Sequence, residues 1–165
     1  MVALLLSGCT WPSASSGPTP VQAPGLLRLV SVADGDTFTV ADADGTRTRI
    51  RLLGIDAPEA ARDGVPADCG AREATDALRG LVAGAALTVT GDPVSDETDR
   101  FGRRLAYVTA DGEDVALALV TAGMAEAWYP AGEPRPTRFG EYQGAEADAR
   151  AARSGLWATC EGVGR

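Results

Sequence analysis

The chain has 165 residues, 45% apolar and 23% charged, which suits one folded domain with room for a tail and excludes a fibrous or wholly disordered chain. No apolar run approaches the roughly 20 residues of a membrane-crossing helix. Lysine, histidine and asparagine are absent, so all 15 basic side chains are arginines and mechanisms built on imidazole are excluded. The net charge of −8 argues against a broadly basic nucleic-acid-binding face, so such a partner would need a local convergence of arginines.

Residues 1–8 are apolar and uncharged and lead into Cys9 through Leu6-Ser7-Gly8. A Leu, two small residues and a Cys resemble the lipobox of bacterial lipoproteins, where the small residues fit the signal peptidase and the thiol receives the lipid. The resemblance implies lipidation of Cys9 and an extracytoplasmic protein, anchored to the cell membrane or secreted. Residues 10–25 are rich in Ser, Pro, Thr and Gly and are expected to form a flexible tether. The folded domain is expected over 26–160, with 161–165 as a tail. With Cys9 assigned to lipid, Cys69 and Cys160 remain as an even pair in an oxidising compartment and are expected to bridge. The bridge would close a loop of about 90 residues, worth ~4–5 kcal/mol by chain entropy.

Along the domain, residues 26–33 are apolar and read as a strand, Asp34-Gly35-Asp36 as a turn, and 37–40 as a second strand. After the turn Asp42-Ala43-Asp44-Gly45, residues 46–55 read as a third strand. Its alternation places Arg47, Arg49 and Arg51 on one face and Thr48, Ile50 and Leu52 on the other. A Pro- and Gly-containing loop follows over 58–69. Residues 71–82 carry an apolar stripe of Ala74, Leu78, Leu81 and Val82 and are expected to be helical. Strands are expected at 87–90 and 104–110, with an acidic loop over 92–99 between them. Helices are expected at 115–122, with Asp114 as a possible cap and Gly123 as a stop, and at 139–153, carrying a Glu146–Arg150 pair. The order β-β-β-α-β-β-α-α predicts a mainly β fold with helices (α+β): a five-stranded Greek-key barrel of the OB type with three helices.

Three segments carry chemistry: Asp34-Gly35-Asp36-Thr37, the run from Arg51 to Glu59, and the run from Asp99 to Tyr107. Each alone reads as a turn, a solvated strand face or a surface hairpin with a salt bridge. Together they supply hard oxygen ligands in Asp36, Asp56 and a backbone carbonyl near Ala57, which suit Ca²⁺. Glu59 stands one short step further on as a carboxylate for water. Arg51 and Arg103 present forks that match the oxygens of a phosphodiester. A cation, a carboxylate near water and two arginines are the minimum kit for hydrolysing a phosphate ester.

These segments resemble the staphylococcal nuclease-like (thermonuclease) family: Asp-Gly-Asp-Thr, Arg-Leu-Leu-x-Ile-Asp-x-Pro-Glu, Asp-Arg-x-Gly-Arg-x-Leu-Ala-Tyr, and Gly155-Leu156-Trp157 near the end, in the family's order. The resemblance implies a Ca²⁺-dependent nuclease acting on DNA or RNA, with loss of the 5′-oxygen and 3′-phosphate products. It puts Asp36, Asp56 and the Ala57 carbonyl on the metal, Arg51 and Arg103 on the phosphate, and Glu59 on the attacking water. Phe101 falls where the family commonly has Tyr, and Tyr129, with Trp128 beside it, falls in the region that stacks the nucleobase. A monomer is expected. Two other readings stay open: a non-catalytic oligonucleotide-binding barrel, and a lipid-anchored envelope module that binds Ca²⁺ and holds a partner through its arginines.

Overall fold

The elements follow the turns. Asp42 ends one strand and its Oδ1 accepts from the N–H groups of Asp44 and Thr46, at 3.0 and 2.9 Å, closing a tight hairpin. In this computed structural model residues 27–164 are described; Cys9, the lipobox and the tether lie outside them. Strands β1 (Arg28–Val32), β2 (Thr37–Ala41) and β3 (Arg47–Leu52) form an antiparallel meander, with Thr37 opposite Arg51 and Ala41 opposite Arg47. Helix α1 (Ala71–Val82) and strand β5 (Leu87–Thr90) then intervene, and β6 (Arg104–Ala110) lies parallel to β3, with Ile50 opposite Arg104 and Leu52 opposite Ala106. Strand β5 pairs antiparallel with β6, so the order is β1-β2-β3-β6-β5. Five strands in the expected order, with β1 and β3 shorter than expected and one parallel step across a helical crossover, match the OB-like α+β expectation.

The continuous strand expected over 46–55 is divided. At Gly54 the backbone takes φ +78°, a conformation open to glycine, and a Cβ there would meet the Tyr142 ring at 3.0 Å. The chain leaves the main sheet after Leu52 and re-pairs as a two-residue strand, β4 (Ile55–Asp56), with β8 (Glu126–Ala127). A second two-residue strand, β7 (Glu113–Asp114), pairs with β6. Such short pairings have no sequence signature; tertiary contacts make them.

Helix α2 (Val115–Thr121) starts where expected, its cap formed by Asp114 Oδ1 accepting from the Leu117 N–H at 2.7 Å, and ends before Gly123 at φ +69°. Helix α3 (Phe139–Ala152) carries the expected Glu146–Arg150 pair at 2.6 Å. A short 3₁₀ turn, Gly155–Ala158, follows. The inward faces of the sheet and helices meet in one core containing Phe38, Ile50, Leu52, Leu78, Val108, Leu119 and Tyr142. Cys69, just before α1, is bridged to Cys160, with Cα atoms 5.9 Å apart. Beside the bridge the Leu156 side chain fills the space over Gly70. No helix among the described residues is long and apolar enough to cross a membrane.

Candidate active site

The turn from β1 to β2 delivers Asp36. Gly35 allows it: a Cβ at Gly35 would stand 2.7 Å from the Cβ atoms of both Ala57 and Ala74. The turn therefore wedges between α1 and the segment after β4, and Asp36 is driven inward. Strand β3 brings Arg51, and the departure of the chain at Gly54 brings Asp56 and Ala57 back past it. Residues 51–58 are all buried.

Arg51 is the centre of the cluster. Its Nη2 lies 2.8 Å from Asp56 Oδ1 and 3.1 Å from Asp36 Oδ2. Its Nη1 donates to the carbonyls of Leu52 and Ile55 at 2.9 and 2.8 Å. Asp36 also accepts from the Ala57 N–H at 3.0 Å and the Thr37 hydroxyl at 2.9 Å. Burial raises the Asp36 carboxyl to about 6, against the lowering effect of Arg51 and these hydrogen bonds; nearby Asp34 adds to the rise.

Arg103, from the loop before β6, reaches the same cluster from the other side. Its Nη1 donates to the Thr37 hydroxyl at 3.3 Å, and its Nε donates to Asp99 Oδ2 at 2.6 Å. Asp99 Oδ1 in turn accepts from the backbone N–H groups of Phe101 and Arg103 at 2.9 Å each. Burial acts to raise the Asp99 carboxyl, but these bonds from Arg103 and Phe101 outweigh it and hold the group below its ordinary value. Asp36, Arg51, Asp56, Ala57 and Arg103 are thus joined by one continuous set of hydrogen bonds, with Thr37 as the link. Glu59 lies two residues past Ala57 on the loop before α1. Its carboxylate pairs with Arg62 and its N–H donates to Asp68 at 2.9 Å.

Arg51 and Arg103 line one cavity of about 550 Å³ with Phe101, Trp128, Tyr129 and Pro136. Phe101 is 60% exposed at its rim, with the guanidiniums of Arg100 and Arg103 over its ring at 4.8 and 5.5 Å. Tyr129 stands edge-on to Phe139 at 4.8 Å. Asp36 and Asp56, 4% and 0% exposed, sit behind Arg51. Thr37 and Asp99 lie in two of the segments that carry chemistry, but only the structure shows Thr37 as the link between Asp36 and Arg103 and Asp99 as the support of Arg103; Arg62 has no sequence signal.

The donor set of Asp36, Asp56 and the adjacent Ala57 carbonyl is all oxygen, without thiolate or imidazole, and fits a hard divalent cation. Among the described residues no three His, Cys, Asp or Glu side chains are grouped to hold a metal by themselves, so the remaining ligands would have to come from backbone, water and substrate.

An uncharacterised endonuclease of Escherichia coli O157:H7 is 37% identical over 139 residues, covering 82% of this chain and 79% of the relative. The thermonuclease of Staphylococcus hyicus is 33% identical over 100 residues, covering 61% of this chain and 57% of the relative. An uncharacterised protein of Bacillus anthracis is 30% identical over 130 residues, 79% of this chain. The chain spans 59% of the length of the Bacillus anthracis relative, and so less than two thirds of that protein and of the thermonuclease. The model of the staphylococcal nuclease homologue family matches residues 49–159, a span that takes in Arg51, Asp56, Glu59 and Arg103; the chain belongs to that family.

Proposed function

We propose that the protein is a Ca²⁺-dependent endonuclease that hydrolyses phosphodiesters of DNA or RNA and leaves 3′-phosphate ends. The observation that carries this reading is the convergence of Arg51 and Arg103 on one cavity, with two buried carboxylates directly behind Arg51. Asp36, Asp56 and the Ala57 carbonyl would hold the cation. A Ca²⁺ ion held there would supply positive charge to a phosphate oxygen.

The residues of the chain have separate tasks. In the structure the terminal nitrogens of Arg51 are committed to protein oxygens. Arg51 lines the cavity, and Nη2, once released from the carboxylates, would be free to bind a phosphate oxygen. Arg103, held through Nε by Asp99 and through Nη1 by the Thr37 hydroxyl, lines the cavity and binds a second equatorial oxygen. Both contacts strengthen as charge builds on phosphorus. Glu59 takes the proton of the attacking water, or orients that water in line with the leaving oxygen. Phe101 and Tyr129 offer apolar faces for bases splayed out of a strand.

The Cys69–Cys160 bridge supports an extracytoplasmic location. A lipid on Cys9, attachment to a membrane and a monomeric state complete the proposal. The deciding experiment is plasmid nicking with Ca²⁺ and with excess chelator, for the parent and Glu59→Gln. The parent should nick only with the cation, and Glu59→Gln should be slower by about 10²–10⁴-fold. Undiminished cleavage in chelator removes the metal from the scheme. Equal rates for the two proteins remove Glu59.

A further inference from the structure

Beside the catalytic cavity lies a second, open groove of about 590 Å³ lined by Arg47, Arg49, Glu97, Gly102 and Arg104. Thr98 and Leu105 line both, so the two are contiguous. Arg51, Arg62, Arg103, Arg138 and Arg150 are each paired with a carboxylate. Arg47, Arg49 and Arg104 are exposed and form no ion pair among the described residues. Glu97 is the one carboxylate on the groove wall, so the groove is locally cationic on a chain of net charge −8. Like charges gathered in this way repel one another, and among the described residues none of the three is neutralised by an ion pair. A polyanion would neutralise them.

The spacing identifies the polyanion. Arg47, Arg49 and Arg51 occupy successive same-face positions of β3, about 7 Å apart along the strand. That is the pace of successive phosphates in an extended nucleic-acid strand. The row begins in the groove and ends at the arginine of the catalytic cavity. Arg104, at the start of β6, adds a contact from the neighbouring strand of the sheet.

We propose that this groove is a subsite for the sugar-phosphate backbone of a single strand that continues from the scissile bond. The enzyme would then grip its substrate over several nucleotides, and its preferred substrate is a polynucleotide strand and not a dinucleotide. The contacts are to phosphate, so they confer length dependence and salt dependence without base specificity. The proposal rests on the nuclease reading, and its test separates the two.

The test is Arg47→Gln/Arg104→Gln. Arg49 is left in place because its Nη2 reaches the Phe101 carbonyl at 3.5 Å, on the wall of the catalytic cavity. Binding of a fluorescein-labelled 20-nucleotide oligo-dT is measured by anisotropy across a NaCl series without divalent cation. Cleavage of the same strand and of a labelled dinucleotide is measured with Ca²⁺. Two lost phosphate contacts should flatten the log Kd against log salt slope by about 1.4. They should raise KM for the 20-mer about tenfold at low salt, with kcat/KM for the dinucleotide unchanged. Equal slopes and equal KM values in parent and variant overturn the subsite, whether or not the parent cleaves. An equal loss on the dinucleotide also overturns it, since the arginines would then act on the catalytic cavity itself. If the parent cleaves neither substrate while the slopes still differ, the subsite stands and the nuclease reading fails.

Discussion

Arg51 and Arg103 carry the same charge and face the same cavity, yet their substitution should have opposite signatures. Arg51 is 7% exposed and neutralises two buried carboxylates. Removing one partner of such a cluster leaves buried charge without compensation, at a cost of about 3–5 kcal/mol. Arg51→Ala should therefore lower the urea midpoint markedly, and its loss of activity would be partly a loss of folded protein. The Arg103 side chain is 21% exposed and its carboxylate partner, Asp99, is held independently by two backbone N–H groups. Arg103→Ala should cost under about 1 kcal/mol in stability and lower turnover by about 10²–10³-fold, as removal of one transition-state donor does. Steady-state kinetics beside urea titration distinguishes the two. If Arg103→Ala cleaves as fast as the parent, the phosphate role assigned to Arg103 is wrong. The sequence made both arginines visible but not this difference. Alternation puts Arg51 on the same face as the exposed Arg47 and Arg49, and only the return of the chain at β4 and the β1–β2 turn covers it.

Among the elements, local pattern sufficed for the long ones. Strands β2, β3 and β6 and helices α1, α2 and α3 lie within a few residues of their expected positions, because each has its own periodicity and its own stop. The break at Gly54, the two-residue strands and the packing of α1 against the Asp36 turn depend on contacts between residues far apart in sequence, and no local signal encodes them. Gly35 shows what that packing does for the site. A methyl group at Gly35 would overlap Ala57 and Ala74 at 2.7 Å; both are buried small residues with no flexible end to yield. Gly35→Ala should destabilise by about 1–3 kcal/mol through overpacking. Because the displaced turn carries Asp36, it should also weaken cleavage in what remains folded. The check is activity per folded molecule at saturating Ca²⁺. Parent-like specific activity would mean that the turn does not position Asp36. The disulfide acts on the same region from the other end of the chain, holding Leu156 over Gly70 at the start of α1. Replacing Cys69 and Cys160 by Ser should lower stability by about 2–5 kcal/mol, measured as a shift of the urea midpoint relative to the oxidised parent.

At the scale of the whole molecule, one buried acid fastens three parts of the chain together, and its titration contributes to the acid limb of stability. Asp92, 8% exposed, lies in the segment that reads from sequence only as an acidic loop. Its Oδ2 accepts from the Tyr107 hydroxyl of β6 and from the N–H and hydroxyl of Thr137, both at 2.7 Å, just before α3; its Oδ1 accepts from the Val94 N–H at 2.8 Å. Burial pushes this carboxyl up, but the bonds from Tyr107, Val94 and Thr137 together outweigh it and hold the group at about 2, below the 3.8 of a free aspartate. Between those values the unfolded chain binds the proton and the folded chain does not, so stability rises with pH across that window. The contribution, about 2 kcal/mol, is fully present above about pH 5 and is lost as pH falls through the folded value near 2. Urea unfolding from pH 7 down to pH 2.5 should show this limb in the parent. Asp92→Asn places an amide among four donors, so it should be less stable at pH 7 and show a shallower fall below pH 4. The same acid-dependent slope in parent and Asp92→Asn would mean that the limb belongs to other carboxylates. The clamp also bears on the candidate site: Ser95 and Pro136, each close in sequence to a clamped residue, line the cavity that holds Arg51 and Arg103. As Asp92 protonates, the cavity wall should loosen before the sheet does. Protease cleavage near residues 93–98 should therefore appear at a higher pH than loss of the far-ultraviolet circular dichroism signal; simultaneous onset would show that the clamp and the barrel unfold as one unit.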